Sequence, residues 1–112
     1  MTGRRLTRPL LLEARQAVAD GLGGFSESWV ALGTLWAEVV AGIGREAAGE
    51  EVTLASIPYR ITVRGAPQGA PSRPKAGQRF RDGARLFAIV TVTEADAAGR
   101  YLTCVAREEG VA

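Results

Sequence analysis

Catalysis needs side chains that exchange protons, attack an electrophile or hold a metal, and this chain of 112 residues offers few of them. It has no histidine, which removes the commonest general base and metal ligand. A single cysteine, Cys104, cannot form an internal disulfide, and no base stands ready to activate it. Its apolar neighbours Leu102 and Val105 predict a buried strand position rather than a reactive thiol. The carboxylates include two adjacent pairs, Glu50-Glu51 and Glu108-Glu109, whose side chains diverge on a strand, so no metal-like cluster is expected. No catalytic, cofactor-binding or metal-binding residue is assigned, and the chain does not read as an enzyme.

Two patterns merit a test. Gly42-Ile43-Gly44-Arg45-Glu46-Ala47 follows an apolar stretch and has the glycine spacing of a dinucleotide fingerprint. The context fails, because no strand-helix-strand unit follows and no acid lies about twenty residues on to hold a ribose. The glycines fit a sharp turn that presents Arg45 and Glu46. The second pattern is a basic run. Net charge is only +2, yet from Ile57 to Arg85 seven basic residues (Arg60, Arg64, Arg73, Lys75, Arg79, Arg81, Arg85) face one acid, Asp82. Such a run suits phosphate contacts, but only Tyr59 and Phe80 are interleaved for base stacking, so a solvated strand face or a protein contact is the plainer reading.

The elements that must carry these groups read as strands. The length allows one domain with one core. Residues 1–7 form a polar, basic arm, and residues 8–18 alternate as a strand would, with Leu10 and Leu12 opposite Leu11 and Glu13, although Pro9 and the following glycines could equally bracket a short helix; the strand is the reading taken. Asp20-Gly21-Leu22-Gly23-Gly24 is a turn signal, and residues 25–32 supply the partner strand. Trp29 and Trp36 are expected in the core, with Gly33-Thr34 breaking their stretch into two strands. The glycine-flanked, alanine-rich segment after residue 42 is a turn with at most one short helix. Tyr59, Ile61 and Val63 alternate with Arg60, Thr62 and Arg64 more cleanly than any other stretch. Residues 65–77 hold three prolines and read as a long, polar, mobile loop of the kind that is more often functional than accidental. A hairpin around Asp82-Gly83 and a closing strand from Tyr101 to Arg107 follow, with Glu108-Glu109-Gly110 running out into solvent. Six or seven antiparallel strands close most economically as a small barrel or sandwich, which limits exposed edges. The longest early apolar run is Leu10-Leu11-Leu12, so no secretory signal or membrane span is expected, and a cytoplasmic origin fits.

The order of these motifs resembles the phage head-tail joining family, the small head-closure, stopper or adaptor proteins of long-tailed phages and gene transfer particles. The resemblance rests on the turn at residues 20–25, Glu27-Ser28-Trp29, Leu35-Trp36-Ala37-Glu38-Val39, Gly44-Arg45-Glu46, the Tyr59 to Arg64 strand, Arg79-Phe80 through Gly83 to Phe87-Ala88-Ile89, and residues 102–109. The segment at 65–77 is longer than the family's usual one. The resemblance implies a head-closure type small barrel without catalytic residues, assembled as a homo-oligomeric ring in a virion neck in the bacterial cytoplasm. A portal or adaptor ring would lie above it, a tail terminator or tail tube below, and double-stranded DNA in its channel. Arg73, Lys75 and Arg79 are the expected lumen or inter-ring residues, and Arg45 and Glu46 the expected subunit contact. The competing expectation is a free-standing small-barrel nucleic-acid-binding module of the OB or SH3-like kind. That module would bind oligonucleotides alone with a steep salt dependence, whereas a connector would need its ring neighbours.

Overall fold

A computed structural model describes residues 5–42 and 57–109 of the chain. All regular structure among them is β: β1 (Arg8–Ala19), β2 (Phe25–Ala41), β3 (Pro58–Arg64), β4 (Arg79–Asp82), β5 (Arg85–Glu94) and β6 (Tyr101–Glu108). Every pairing is antiparallel, and the order β1-β2-β3-β6-β5-β4 closes into a barrel where β4 returns to β1. The short helix expected after residue 42, with Arg45 and Glu46, lies outside the described residues.

Alternation puts one face of each strand inside. Leu10, Leu12, Ala37, Ile61, Val63, Phe80, Phe87, Ile89, Leu102, Cys104 and Ala106 form the core; the period-2 pattern of β3 holds for Ile61 and Val63 against Arg60 and Arg64, while Thr62, read with the arginines, is only 5% exposed. Phe80 and Phe87 are register partners and the largest fully buried side chains. Each aromatic ring taken from water contributes about 2–3 kcal/mol.

Three sequence expectations need correction. Gly33 does not break the chain, because β2 is one strand of 17 residues with a bulge. Leu12 pairs with Gly33 while Glu13 pairs with Ala31, so Leu32 is the extra residue, and Gly33 takes a φ of 140° that a side chain would resist. The bulge also shifts the inside-outside phase. Trp29 and Trp36 lie seven residues apart and would face opposite ways on a regular strand; the extra residue puts both outside. Trp36 is 57% exposed and Trp29 half-buried, so neither ring is in the core. Glu108 does not run into solvent either: it ends β6 and is 6% exposed.

The segment at 65–77 is not structureless. It must carry the chain from β3 to β4, which are separated in the barrel by β6 and β5. Pro74 is fully buried, the Gly77 amide donates to the Ile89 carbonyl at 3.0 Å, and turns form as Ala70 N donates to Pro67 O and Arg73 N to Ala70 O. This strap starts at Gly65, which lies so close to the Gly99 carbonyl and Arg100 backbone that a Cβ would collide with them.

Beyond Glu13 and Ala31, β1 and β2 leave the barrel as a two-stranded arm. Six register pairs run out to Ala19 and Phe25, about 20 Å of ribbon at ~3.3 Å per residue. Its turn is held by Asp20, whose Oδ1 accepts from the amides of Leu22 (2.7 Å) and Gly24 (3.1 Å).

Candidate functional site

The polar groups gather in three places. At the root of the arm, Glu13 on β1 lies beside Arg79 and Arg81 on β4, because the β1–β4 register aligns Glu13 with Arg79 and Leu11 with Arg81. Arg79 Nε donates to Glu13 Oε1 at 2.6 Å and Arg81 Nε to Oε2 at 3.0 Å. The Arg79 guanidinium also stacks 4.0 Å from the centre of the Trp29 ring, with Arg15 at 5.3 Å. Burial by itself would raise the Glu13 pKa, but hydrogen bonds and charge from Arg79 and Arg81 outweigh it and hold the carboxyl below its ordinary value. The Arg15–Glu27 pair farther out, at 3.8 Å and largely exposed, contributes little.

At the end of β6, Glu108 accepts two hydrogen bonds from Arg85 (Nε to Oε2 2.7 Å, Nη2 to Oε1 2.9 Å) and a third from the Tyr59 hydroxyl at 3.2 Å. Tyr59 meets Phe87 edge-on at 5.1 Å, and the Arg85 guanidinium lies 4.9 Å from the Phe87 ring centre. The Arg85 hydrogen bonds, partly opposed by burial, hold the Glu108 carboxyl low, and the same contact raises the Arg85 pKa. A carboxylate with a depressed folded pKa contributes its stability above the unfolded value, here 4.5, and loses it as pH falls through the folded pKa. The melting temperature should therefore fall as pH drops below about 5, and Glu108→Gln should flatten that decline while lowering stability at neutral pH. Thermal unfolding followed by circular dichroism across this range checks it; an unchanged slope would discount the contact.

The third place is the strap. Arg73 donates to the Ala66 carbonyl at 2.8 Å and borders a shallow polar hollow of about 410 Å³ that Glu94 also lines. Lys75 is exposed and forms no ion pair among the described residues. Arg79 is not on the strap: it opens β4, and its side chain is 11% exposed against Glu13. The expected group of Arg73, Lys75 and Arg79 thus divides into two strap residues and one arm-root residue.

Glu13, Glu108 and Trp29 were not read in sequence as partners of the arginines, and spacing gave no signal for it: Arg79 reaches Glu13 across 66 residues and Arg85 reaches Glu108 across 23. These pairs also change the reading of the basic run. Arg79, Arg81 and Arg85 are neutralised by acids from outside it, which leaves Arg60, Arg64 and Lys75 as its exposed, unpaired cations among the described residues. Cys104 is fully buried, as its neighbours implied, and burial pushes its thiol up to about 12. Among the described residues no group of acids and thiols could hold a metal, and no helix is long and apolar enough to cross a membrane.

Comparison with known proteins follows the fold. The curated proteins include none that matches the sequence. A solved chain from the virion of a native gene transfer agent particle is 57% identical, with 98% of this chain and 100% of that chain covered and a TM-score of 0.80. A Shigella flexneri 2a protein known from its solution structure, 23% identical with 96% of each chain covered and a TM-score of 0.69, shares the fold. The family described as phage head completion protein matches residues 1–109. Nearly the whole sequence is covered by that match, and the chain belongs to the phage head completion protein family.

Proposed function

We propose that this chain is a structural connector of a phage-like particle: a head-closure or stopper protein that forms a ring between the portal-adaptor complex and the tail, retains packaged DNA and offers the tail its attachment surface. The observation that carries the reading is the 57% identity, over the full length of the relative, to a component of a native gene transfer agent virion. The chain's place is then the neck of such a particle, and its work is binding rather than catalysis. The paired arginines favour this over a free nucleic-acid module, because three of the seven cations in the basic run are occupied by Glu13 and Glu108. Tagging the protein in its host and purifying particles on a density gradient tests the reading. Co-sedimentation with capsid and tail proteins at a low fixed ratio supports it; absence from every particle fraction overturns it and brings salt-dependent oligonucleotide binding forward.

Within this reading the strap at 65–77 faces the channel or an adjoining ring, with Lys75 as its outermost cation and Arg73 bracing its base. Arg79 supports that region from the arm root, and Arg45 with Glu46 remain the proposed subunit contact. Buried Pro74 and the Gly77–Ile89 hydrogen bond tie the end of the strap to the barrel, so exchanging all of it would mix a loss of stability with a loss of function. The suitable variant keeps residues 73–77, replaces residues 67–72 with glycine and serine, and adds Lys75→Ala. We expect normal folding and particles that lose packaged DNA several-fold faster than wild type. Equal retention would remove the strap from this role.

A further inference from the structure

The arm carries apolar side chains that its own barrel leaves uncovered. Leu22 is 90% exposed, Phe25 75% and Val18 45%. A second apolar surface lies at the other end of the same ribbon, where Leu6, Thr34, Leu35, Trp36 and Arg64 line a groove of about 340 Å³. The two cannot meet within one copy. From the Leu10–Leu35 pair to the Ala19–Phe25 pair the ladder runs nine residues along β1, about 30 Å of continuous ribbon at ~3.3 Å per residue, so the tip points away from its own groove. That span is comparable to the shorter extents of the molecule, 38 and 23 Å. A neighbour displaced by one molecular width therefore brings its groove under the tip.

Charge fits the same pairing. Residues 16–28 hold Asp20 and Glu27 and no lysine or arginine; Glu27 lies 3.8 Å from Arg15 in a largely exposed pair, so Asp20 carries the net negative charge of the tip. The groove is edged by Arg64, and the same outer sheet face continues through Arg60 on β3 and Arg107 on β6; all three are exposed and form no ion pair among the described residues. An acidic apolar tip thus faces a basic apolar groove. A DNA duplex presents a hydrated phosphate backbone that gains little from covering Leu6, Leu35 and Trp36, so the apolar lining favours a protein occupant.

We propose that the arm of one copy docks head-to-tail on the next, Leu22 and Phe25 entering the groove beside Trp36 while Asp20 and Glu27 approach Arg64. The contact joins two different surfaces, so it repeats around an axis and closes as a ring where the rotation permits. It rests on the ring reading above and specifies the surfaces that build the ring.

Cross-linking in purified particles tests it. Leu22→Cys combined with Thr34→Cys, treated with a short bismaleimide, should give a ladder of dimers and higher multimers of this chain, because the natural thiol at Cys104 is buried and does not compete. Either substitution alone should give none. Leu22→Asp with Phe25→Asp changes only exposed positions, so the purified chain should keep its melting temperature while its incorporation into particles falls at least about tenfold, some 1.4 kcal/mol of contact. Three results overturn the docking: a Leu22→Cys adduct with a different particle protein, an adduct with DNA-bound fractions only, or no multimers from particles that contain the doubly substituted chain at the wild-type ratio. The last leaves the ring reading intact and places its contacts elsewhere. If the wild-type chain is absent from particles, the ring reading itself fails, and the gradient profile shows this before any cross-linker is added.

Discussion

Phe80→Ala is expected to remove about 3–5 kcal/mol of folding stability, a large share of what a domain of this size has. Phe80 is fully buried, faces Phe87 across the β4–β5 register and sits on the shortest strand of the barrel. Removing a core phenylalanine costs about 3–5 kcal/mol when the cavity cannot collapse. A domain of this size has only about 5–15 kcal/mol in total. Relief by collapse is unavailable here, because β4 is held to β1 by three register pairs and cannot move inward without breaking the closure. Urea unfolding should show a midpoint far below wild type with an unchanged slope. A loss below about 1 kcal/mol would mean that the core repacks and that the barrel is looser than described.

Glu13→Ala is the second large effect. The carboxylate is 7% exposed and takes hydrogen bonds from both Arg79 and Arg81. Its removal leaves the Arg79 guanidinium, whose side chain is 11% exposed, with only the half-exposed Glu109 carboxylate at 4.0 Å as an anion. Breaking a buried pair from one side costs about 3–5 kcal/mol, and the partial exposure of Arg81 argues for about 2–4 kcal/mol here. Trp29 still stacks on Arg79 and limits the damage. The diagnostic is a double-mutant cycle: Arg79→Ala in the Glu13→Ala background should cost much less than Arg79→Ala alone, with a coupling of about 1–3 kcal/mol. Additive losses would show that the two side chains stabilise the barrel independently.

Local signals in this sequence were legible, and long-range ones were not. The alternation of β3, the Asp20 to Gly24 turn, the Asp82-Gly83 reversal and the buried place of Cys104 each depend on a few neighbouring residues, and each stands as read, apart from buried Thr62 in β3. The reversal differs in one detail: Gly83 and Ala84 make the turn, while Asp82 stays in register with Arg85 and pairs with Arg8. The tryptophans misled because a bulge changes which way every later side chain points, and Gly33 signals a break and a bulge alike. The basic run misled for another reason. Its arginines lie together in sequence, but the acids that neutralise them come from β1 and the end of β6, which only barrel closure brings alongside. The strap's length reads as looseness in sequence and is a topological necessity in the barrel, since β3 and β4 are not neighbours.

Cys104 has a consequence for how a ring of such chains holds together. Its thiol is enclosed by the barrel, and burial pushes it up to about 12, so oxidants meet little reactive thiolate. The chain has no other sulfhydryl. Neighbouring copies therefore cannot be stapled by disulfides as a particle ages in air. In a ring of the kind proposed, cohesion between copies would not depend on disulfides of this chain and would be indifferent to reducing agents.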